Sequence, residues 1–341
     1  MAEINPYFQD ILGAYNTLDM NPLNGKKILI TGATGLIGGC LVDVLINCPS
    51  CSCHVYALGR NEERANKRFH SYQYNERFHF IKGDVTEKLH SSLSFDYIIH
   101  AASNASPNFF KEKPVEVIKA NVIGMINLME YGLEHDMKRI LYVSSGEVYG
   151  EGNGNAFIET DSGYVNCATP RACYPSSKRV SETLAVSYAL EYGVDVVIAR
   201  PCHTYGPYFT ENDNRVYAQF IRNLLKGQDI VLKSPGSQYR SWLYVVDCAF
   251  ALLTILIKGK QGEAYNIADN QANITIRRLA EILAALENRQ VIVDANETNG
   301  NTTPITHATF STEKIMQLGW RPRMPITNGL AHTLAAQQQY C

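Results

Sequence analysis

The sequence has no long hydrophobic run and almost no excess of charge of either sign. Its 341 residues include 31 lysines and arginines against 33 aspartates and glutamates, and 45% of them are hydrophobic. No apolar stretch approaches the roughly 18 residues of a membrane span, and the balanced charge lacks the basic stripe that a phosphate backbone requires. The composition is also unlike that of a disordered chain. We therefore expect a globular protein whose partners are neither a membrane nor a nucleic acid.

A secretory signal and a disulfide framework are missing as well. Residues 1–26 contain no basic region followed by an apolar one. The nine cysteines are odd in number and spread through a chain that is long enough to fold without disulfide bonds. Reduced thiols in the cytoplasm are therefore expected. The C-x-x-C spacing of Cys48 and Cys51, with Cys53 and His54 beside them, also occurs in zinc sites. Because these ligands crowd into seven residues before a predicted strand, we favour a loop with incidental thiols and predict no metal.

The first half of the chain alternates short β-branched runs with longer helical patterns, which is typical of βαβ units and a parallel sheet. The predicted strands are KKILITG, HVYALGR, FHFIKGD, FDYIIHAAS, RILYVSS and VDVVIAR. Helices are predicted over 114–133 and 174–192, and after Arg200 the rhythm becomes irregular. We expect an α/β fold with a doubly wound parallel sheet over 27–200. A smaller mixed α/β lobe is expected over 201–341, with one strand or helix lent to the first domain.

Residues 1–26 are expected to form a helical extension. Four apolar side chains recur there at helical spacing, namely Phe8, Ile11, Leu12 and Tyr15. This pattern predicts a short leading helix whose apolar face packs on the body of the protein.

A glycine-rich turn directly follows the first predicted strand. It reads Thr31-Gly32-Ala33-Thr34-Gly35-Leu36-Ile37-Gly38 and opens into an apolar helix. Glycines permit a tight turn and a close backbone approach, and the first turn of a helix presents free N–H groups to a pyrophosphate. A strand before the motif and a helix after it make the assignment specific. The sequence therefore predicts a Rossmann domain that binds a dinucleotide.

The end of the second strand bears on which dinucleotide is bound. It reads Gly59-Arg60-Asn61, where an acidic residue normally holds the ribose hydroxyls of NAD. Arg60, helped by Arg64 or Lys67, suits the 2′-phosphate of NADP, or it stacks on the adenine and ignores that phosphate. NAD and NADP both stay open. Asp84, which ends the third strand, either accepts from the adenine amino group or is a solvated turn residue.

A tyrosine and a lysine in Tyr174-Pro175-Ser176-Ser177-Lys178 lie four residues apart, hence on one face at the start of a helix. A phenol with a pKa near 10 is a poor base at neutral pH, but an adjacent ammonium and a nicotinamide cation favour its phenolate. Lys178 is thus predicted to lower the pKa of Tyr174 and to hydrogen-bond the nicotinamide ribose. Such a pair is usually a surface feature, and it gains meaning only together with the glycine turn and a nearby hydroxyl.

That hydroxyl is available in the segment Val143-Ser144-Ser145-Gly146-Glu147-Val148-Tyr149-Gly150, at the end of a strand whose carboxyl edge faces the cofactor crevice. Ser145 is the candidate that hydrogen-bonds the substrate oxygen while Tyr174 removes its proton, although alone it would fit a plain turn. Glu147 either moves a proton on the substrate, bridges to a substrate hydroxyl or merely caps a turn.

These motifs together resemble the extended short-chain dehydrogenase/reductase family, specifically its nucleotide-sugar epimerases, dehydratases and decarboxylases. The resemblance covers residues 26 to about 330 and rests on the glycine turn, HAAS at 100–103, Asn121, SSGEVYG, YPSSK and Arg200-Pro201. It implies a Rossmann domain with bound NAD or NADP, a smaller lobe for the nucleotide sugar, and hydride chemistry by Ser145, Tyr174 and Lys178. The implied cofactor contacts are Gly32, Thr34, Gly35, Leu36, Ile37, Gly38, Arg60, Asp84, Val85, Ala101, Ala102, Ser103, Asn121, Tyr174, Lys178 and Pro201.

Within the family, the similarity is greatest to UDP-glucuronate decarboxylases, followed by sugar-nucleotide 4,6-dehydratases. Ala105-Ser106-Pro107 resembles the decarboxylase sugar loop, and the segments Asn212-Asp213-x-Arg215-Val216 and Gly236-Ser237-Gln238-x-Arg240 follow that group closely. The resemblance implies that Arg240 grips the diphosphate and that Arg215 to Gln219 lie along the nucleotide; the alternative for either arginine is a surface ion pair. The implied substrate contacts are Ser106, Ser145, Gly146, Glu147, His203, Arg215, Gln219 and Arg240.

Four positions depart from the family pattern. Arg60 replaces the usual acidic residue, and Ser145 replaces the commoner threonine. Gly146 stands where dehydratases carry an aspartate and decarboxylases a serine, so the proton donor to a C6 hydroxyl is missing and dehydration is a weaker interpretation. His203 replaces the asparagine before Thr-Tyr-Gly-Pro, and is either a nucleotide-sugar contact or a satisfied structural histidine.

The predicted chemistry is a transient oxidation of the sugar at C4. The 4-ketone makes a C5 carboxylate a β-keto acid, which loses carbon dioxide; without that carboxylate the ketone leads to 4-epimerisation or to loss of water across C5 and C6. UDP-glucuronate decarboxylation is the leading hypothesis, and the epimerase and dehydratase reactions are the alternatives. A catalytically silent NAD(P)-binding sensor or scaffold is the alternative from another class. A homodimer through the helices at 114–133 and 174–192 is expected by resemblance.

Overall fold

The structure of the protein is a computed structural model that describes residues 5–211, 213–294 and 306–340. Its helices are α1 (Pro6–Ala14), α2 (Leu36–Ile46), α3 (Glu62–Arg68), α4 (Pro107–Glu112), α5 (Pro114–Glu134), α6 (Cys173–Tyr192), α7 (Val216–Leu225), α8 (Val245–Lys258), α9 (Ile276–Leu286), α10 (Glu313–Gln317) and α11 (Ile326–Tyr340). Its strands are β1 (Lys27–Thr31), β2 (His54–Gly59), β3 (Phe78–Lys82), β4 (Tyr97–His100), β5 (Arg139–Val143), β6 (Val196–Pro201), β7 (His203–Tyr205), β8 (Ile230–Leu232), β9 (Tyr239–Tyr244), β10 (Ala264–Ile267), β11 (Asp269–Thr275), β12 (Val291–Val293) and β13 (His307–Ala308). Each strand that was predicted from the sequence is present, and the two long helices agree with prediction to within one residue.

Seven strands form one parallel sheet in the order β10-β6-β5-β4-β1-β2-β3. The strands are rich in isoleucine, leucine and valine because helices cover both faces, α2 and α8 on one side and α5 and α6 on the other. β1 pairs with β2 on one side and with β4 on the other, so the strand order reverses beside β1. The predicted doubly wound Rossmann fold is confirmed, and its crevice opens at the carboxyl ends of these strands.

The smaller lobe is built from the chain that follows β6. Its central strand is β9, which pairs antiparallel with β11 and parallel with β7 and β13. β8 and β12 form a separate parallel pair. Two elements of this part of the chain belong to the larger layer, because β10 is the edge strand beside β6 and α8 packs on β5 and β6. Among the described residues, no helix is both long and apolar enough to cross a membrane.

The leading helix α1 packs on both parts of the molecule, and three of the four residues of the predicted face lie against the core: Ile11 is buried, and Phe8 and Tyr15 are partly buried. Its buried residues are Tyr7, Ile11 and Ala14. Leu12, which was predicted to be part of the apolar face, is 57% exposed. Tyr7 turns inward because its hydroxyl donates to the buried Asp43 of α2 at 2.6 Å. Asp10 accepts from the Tyr244 hydroxyl at the end of β9, so α1 contacts the smaller lobe as well.

The cysteines singled out in the sequence lie in the connection from α2 to β2. Cys48, Cys51 and Cys53 are buried free thiols. The guanidinium of Arg77 donates to the carbonyls of Ile46 and Cys51 and so ties this connection down. Over the described ranges, no three His, Cys, Asp or Glu side chains are grouped as metal ligands would be.

Candidate functional site

A cleft of about 1330 Å³ runs along the carboxyl ends of the parallel strands and between the two lobes. The structure brings nearly all of the predicted site residues to its walls. They are Gly32, Thr34, Gly35, Leu36, Ile37, Gly38, Arg60, Asp84, Val85, Ala101, Ala102, Ser103, Ser106, Ser145, Gly146, Glu147, Tyr174, Lys178, Pro201, His203, Arg215, Gln219 and Arg240. The larger lobe supplies the residues predicted for the cofactor, and most residues predicted for the substrate come from the smaller lobe or face it.

Asn121 is the predicted cofactor contact that lies outside the cleft wall. Its side chain is fully buried in α5, where the amide nitrogen donates to Ser177 Oγ of α6 at 2.8 Å. Ser177 Oγ in turn donates to the Cys173 carbonyl. The prediction of a direct contact is therefore corrected: Asn121 supports, from behind, the helix that carries Tyr174 and Lys178.

The glycine turn after β1 is packed so closely that it has no room for side chains. A Cβ on Gly32, whose φ is 66°, would lie 2.7 Å from Ala102 Cα, and one on Gly38 would lie 2.4 Å from the Gly32 carbonyl oxygen. The Gly35 amide donates to the Gly32 carbonyl at 2.9 Å, and α2 begins at Leu36 with no side-chain cap. The first N–H groups of α2 thus remain available at the cleft, an arrangement suited to a pyrophosphate.

Two hydroxyls in the cleft wall are buried without a partner among the residues that the structure describes. They are Ser103 Oγ, after β4, and Ser144 Oγ, after β5. Buried polar atoms are normally hydrogen-bonded, so each points to a ligand that supplies the missing partner. Together with the uncapped helix and the glycine turn, these hydroxyls show that the residues present fit a nicotinamide dinucleotide.

Arg60 lies at the end of β2 with its side chain 57% exposed, and Arg64 also lines the cleft. Lys67 does not, because its ammonium lies over an aromatic ring of α11 at 5.2 Å. Arg60 Nη1 is 3.5 Å from Asp84 Oδ2, while Asp84 Oδ1 accepts from the Thr86 amide and hydroxyl. Burial tends to raise the pKa of Asp84, but these hydrogen bonds and Arg60 hold it below its usual value.

Tyr174 is buried at the start of α6 and stacks on Phe110, with 4.9 Å between ring centroids. Burial is the main influence on its phenol and, with the Glu147 carboxylate, raises the pKa of Tyr174 to about 12. The Ser145 hydroxyl lowers that pKa through a hydrogen bond, and two arginines of the cleft wall lower it through their charge. Ser145 and Tyr174 therefore lie together in the cleft, and their joint action on a substrate oxygen stays a prediction.

Lys178 follows Tyr174 by one helical turn and is buried. Its ammonium donates to the Val143 carbonyl at 2.7 Å and lies over the Tyr142 ring at 4.8 Å, but it is 5.8 Å from the centroid of the Tyr174 ring. Burial lowers the pKa of Lys178 from 10.5 to about 7. In the protein without ligands, the Ser145 hydroxyl and two arginines are the main groups that lower the pKa of Tyr174, and the effect of Lys178 beside a nicotinamide cation stays a prediction.

Glu147 is held by an arginine that the sequence analysis missed. Arg171 Nη2 donates to both carboxylate oxygens, at 2.9 and 2.7 Å. The guanidinium also lies over the Phe110 ring at 4.8 Å. Ser145, and not Glu147, caps the short helix Gly146–Tyr149 by accepting from the Glu147 amide. The one signal for Arg171 in the sequence is its position three residues before Tyr174.

Gly146 carries no side chain because an aromatic ring occupies the space. A Cβ at this position would lie 2.4 Å from Phe310 Cζ. Phe310 is buried against Tyr149 and Phe157 and also lines the cleft. An aspartate of the dehydratase type has no room at position 146 unless Phe310 moves. Sequence reasoning missed Phe310, which is remote along the chain and belongs to no motif.

Arg215, predicted to lie along the nucleotide, is paired with a neighbouring carboxylate. Its Nε and Nη2 donate to the two oxygens of Asp213 at 2.9, 3.1 and 2.5 Å. The ion pair that was the alternative interpretation is thus present, although it forms part of the cleft wall. Ser106 donates to the side-chain oxygen of Asn214, and Gln219 donates to the Asn214 carbonyl. Asn212 lies outside the described residues.

His203 and Arg240 lie on the adjacent strands β7 and β9. The His203 ring is accessible from the cleft, while protein surrounds it on its other sides. This burial, followed by the charges of Arg240 and Arg215, lowers the pKa of His203 to about 3, so the imidazole is neutral. The ring lies 5.4 Å from that of Trp242, whose indole N–H is buried without a partner in the described parts of the chain. This accessible position and the unpaired indole favour a ligand contact over a structural histidine.

Comparisons with known proteins agree with this geometry. The profile of the NAD dependent epimerase/dehydratase family matches residues 28–268. UDP-glucuronic acid decarboxylase 6 of Arabidopsis thaliana is 36% identical over 311 residues, which are 90% of this chain and 87% of that protein. UDP-glucuronic acid decarboxylase 1 of Xenopus tropicalis is 31% identical over 315 residues, which are 91% of this chain and 71% of that protein.

Solved structures share the architecture. The dTDP-glucose 4,6-dehydratase DesIV of Streptomyces venezuelae, with NAD and TYD bound, superimposes with a TM-score of 0.78 at 26% identity and covers 92% of this chain and 97% of its own. The UDP-glucose 4-epimerase of Thermotoga maritima, with UDP-glucose, has a TM-score of 0.78 at 23% identity and covers 92% of this chain and 99% of its own. Because this epimerase is only 23% identical to the chain, its likeness shows the fold alone.

Proposed function

Because the chain belongs to the NAD dependent epimerase/dehydratase family, we propose that it is a UDP-glucuronate decarboxylase that acts through a transient 4-keto sugar. The observation that carries the choice of reaction is that the relatives 31–36% identical over nine-tenths of the chain are named as decarboxylases. At position 146 the ring of Phe310 fills the space of a side chain, so the aspartate of a dehydratase is missing, as is the serine of a decarboxylase. This packing argues against dehydration, and the choice of decarboxylation comes from the relatives.

The first step assigned to this chain is removal of a proton from the sugar C4 hydroxyl. A nicotinamide dinucleotide, which the glycine turn and the start of α2 would hold, would supply the hydride acceptor and donor for C4. Tyr174 accepts the hydroxyl proton while Ser145 hydrogen-bonds the same oxygen. Burial opposes the tyrosine's deprotonation, so the Ser145 hydroxyl and the nearby guanidinium groups are needed to stabilise its phenolate. Enclosure of the site holds the sugar in one orientation during this step.

The second step is loss of carbon dioxide. Oxidation at C4 places a ketone β to the carboxylate carbon, so the C5–C6 bond breaks and its electron pair moves to the ketone oxygen. Ser145 and the protonated Tyr174 donate to that oxygen as its charge develops. C5 then takes a proton and the ketone is reduced again, which completes a cycle with no net redox change.

Two other reactions use the same ketone. A sugar without the carboxylate leads to 4-epimerisation if the ketone is reduced from its other face, or to dehydration if C6 loses water. The dehydratase reaction is disfavoured by the packing of Phe310 against Gly146. A catalytically silent sensor is disfavoured because Ser145, Tyr174 and Lys178 line one cleft.

The reaction is tested by incubating the purified protein with UDP-glucuronate, UDP-glucose and dTDP-glucose and following the products by mass spectrometry. Decarboxylation predicts loss of carbon dioxide from UDP-glucuronate. Loss of water from a hexose, or an isomer of unchanged mass, would assign the dehydratase or the epimerase reaction instead. UDP-glucuronate recovered unchanged would contradict the proposal.

We also propose that Arg60 makes NADP an effective cofactor alongside NAD. Its exposed guanidinium, near Arg64 and with only a long contact to Asp84, is available to a 2′-phosphate. Arg60→Asp should shift the binding preference from NADP toward NAD by about 1–3 kcal/mol, the usual value of a hydrogen bond to a charged group. Titration calorimetry with both dinucleotides measures the shift. An unchanged ratio would assign Arg60 to stacking on the adenine.

A homodimer formed through α5 and α6 is the proposed assembly. These helices pack side by side and leave several apolar side chains exposed, among them Val115, Ile118, Val180, Val186 and Leu190. Two copies related by a two-fold axis would bury this surface against itself as a four-helix interface.

A further inference from the structure

The ion pair of Glu147 and Arg171 lies in the wall of the cleft. Both side chains are partly exposed to the cleft, at 26% and 34%, and Arg171 Nη2 bridges both oxygens of the carboxylate. Glu147 is close enough to Tyr174 to raise its pKa, so the pair stands next to the group assigned to C4 chemistry. With its C4 hydroxyl at Tyr174, a sugar would bring one of the carbons next to C4 toward this pair, and we take that carbon to be C5.

A sugar that carries a carboxylate at C5 meets an electrostatic problem at this place. Its negative charge would lie close to the charge of Glu147 in a cleft whose walls, with the sugar bound, displace part of the surrounding water. Like charges in such surroundings repel strongly, because the effective dielectric constant is low and salt screens poorly. A neutral hydroxymethyl group at the same carbon meets no such repulsion.

We propose that Arg171 is a specificity-determining residue, which neutralises Glu147 and thereby allows the cleft to accept a sugar that bears its own carboxylate. This inference rests on the proposed function, because it concerns the same site and names the feature that selects a uronate over a neutral hexose. It assigns a role to a residue that lies outside the Ser145, Tyr174 and Lys178 group.

The surroundings of Arg171 suit this role. Its guanidinium is held over the face of Phe110, which is itself buried and stacked on Tyr174, so the cation is fixed relative to the site of C4 chemistry. Within the described part of the chain, its Nε and Nη1 donate to no protein group. Arg171 therefore keeps donors for a second carboxylate after it has bound Glu147. Arg215, by contrast, is already matched by Asp213.

The test compares binding of UDP-glucuronate and UDP-glucose, which differ in charge at one carbon. Affinities are measured by titration calorimetry in a Tyr174→Phe background, so that neither ligand turns over. Arg171→Gln should weaken UDP-glucuronate by about tenfold or more and UDP-glucose by less than about twofold, because only the former is repelled by an unpaired Glu147. Arg278→Gln, which breaks an exposed ion pair with Glu281 away from the cleft, should change neither affinity.

A second variant approaches the same pair from its other side. Glu147→Gln leaves Arg171 without a counter-charge, so it should increase the preference for UDP-glucuronate over UDP-glucose. The Arg171→Gln and Glu147→Gln double variant should return that preference toward the original ratio, since both charges are then gone. A merely structural role for Arg171 predicts equal losses for the two ligands and no such rescue.

Each outcome bears on a definite claim. Equal weakening of both ligands by Arg171→Gln, or an unchanged preference in Glu147→Gln, would overturn the inference. If Arg171→Gln does not fold, as judged by circular dichroism, Glu147→Gln alone decides between these results. If the protein decarboxylates UDP-glucuronate but the variants leave the ratio of UDP-glucuronate to UDP-glucose affinity unchanged, only this inference is contradicted. A protein that never releases carbon dioxide contradicts the proposed function.

Discussion

Burial acts on Tyr174 and Lys178 in opposite directions, because the phenol is neutral and the ammonium charged when protonated. The pKa of Tyr174 is raised to about 12 and that of Lys178 is lowered to about 7. Each shift disfavours the charged form that the chemistry requires. In the protein without ligands, the groups that favour the phenolate are the Ser145 hydroxyl first and then the guanidinium groups of Arg215 and Arg171.

Lys178 should give the stability of the protein without ligands a distinct pH dependence. Below about pH 7 the lysine is protonated in both the folded and the unfolded chain. In this range the burial of its charge lowers the free energy of unfolding by the largest amount. Between pH 7 and 10.5 the unfolded chain binds more protons, so the free energy of unfolding should rise with pH. The slope attributable to one such group is at most about 1.4 kcal/mol per pH unit.

This prediction is checked by urea unfolding of the unsubstituted protein and of Lys178→Met between pH 7 and 9.5. The difference between their free energies of unfolding should change with pH in favour of the unsubstituted protein. Lys88→Met, which removes an exposed lysine, should give a constant difference. If the free energies of unfolding of the unsubstituted protein and of Lys178→Met change with pH in parallel, the ammonium is not destabilised by burial.

At the scale of elements, α1 depends on one buried carboxylate. Asp43 of α2 accepts from the hydroxyls of Tyr7 and Tyr72 and is paired with Arg68 of α3. A single side chain of α2, the helix that follows the glycine turn, therefore joins α1 to α3. Asp43 also lies in the helix whose first turn faces the predicted pyrophosphate.

Asp43→Asn should destabilise the protein by about 3–5 kcal/mol, because it leaves the guanidinium of Arg68 buried without its counter-charge. Thermal or urea unfolding measures the change. Glu130→Gln is the matched control, since Glu130 faces Lys88 in an exposed pair whose loss should cost less than about 1 kcal/mol. Equal effects of the two substitutions would contradict the structural account of α1.

The strands and long helices were predictable because each carries its own local pattern. The runs at β1 to β6 are apolar and β-branched, and the glycine turn needs only its neighbours to be recognised. The apolar face of α1 was predicted correctly at Phe8, Ile11 and Tyr15 but wrongly at Leu12, because Leu12 fits helical spacing as well as Tyr7 does. What decides between the two is Asp43, which is distant in sequence.

The candidate site shows the same limit. Motif residues such as Tyr174 and Ser145 were identified from spacing and resemblance, and the fold brings them to one cleft. Arg171 and Phe310 were not, because their roles depend on contacts with Glu147 and Gly146 that only the folded chain creates. The sequence analysis also assigned Lys67 and Asn121 to the dinucleotide, but packing turns their side chains toward other partners.

At the scale of the whole molecule, the exposed surface of α5 and α6 predicts self-association. Val180→Glu combined with Val186→Glu should convert a dimer into a monomer, because buried like charges would face each other across the two-fold axis. Analytical ultracentrifugation measures the mass. Leu12→Glu, which changes an exposed apolar residue of α1, should leave the dimer intact. A monomer before any substitution would contradict the proposed assembly.

The central claim is that one cleft oxidises a sugar at C4 so that a carboxylate can leave from C5. The most direct measurement is to mix the protein, loaded with its dinucleotide, with UDP-glucuronate, quench early with borodeuteride, and analyse the nucleotide sugars by mass spectrometry. The account predicts a UDP-pentose fraction with deuterium at C4, and no such product from Tyr174→Phe. A UDP-pentose that never carries the label, or UDP-glucuronate recovered intact, would contradict it.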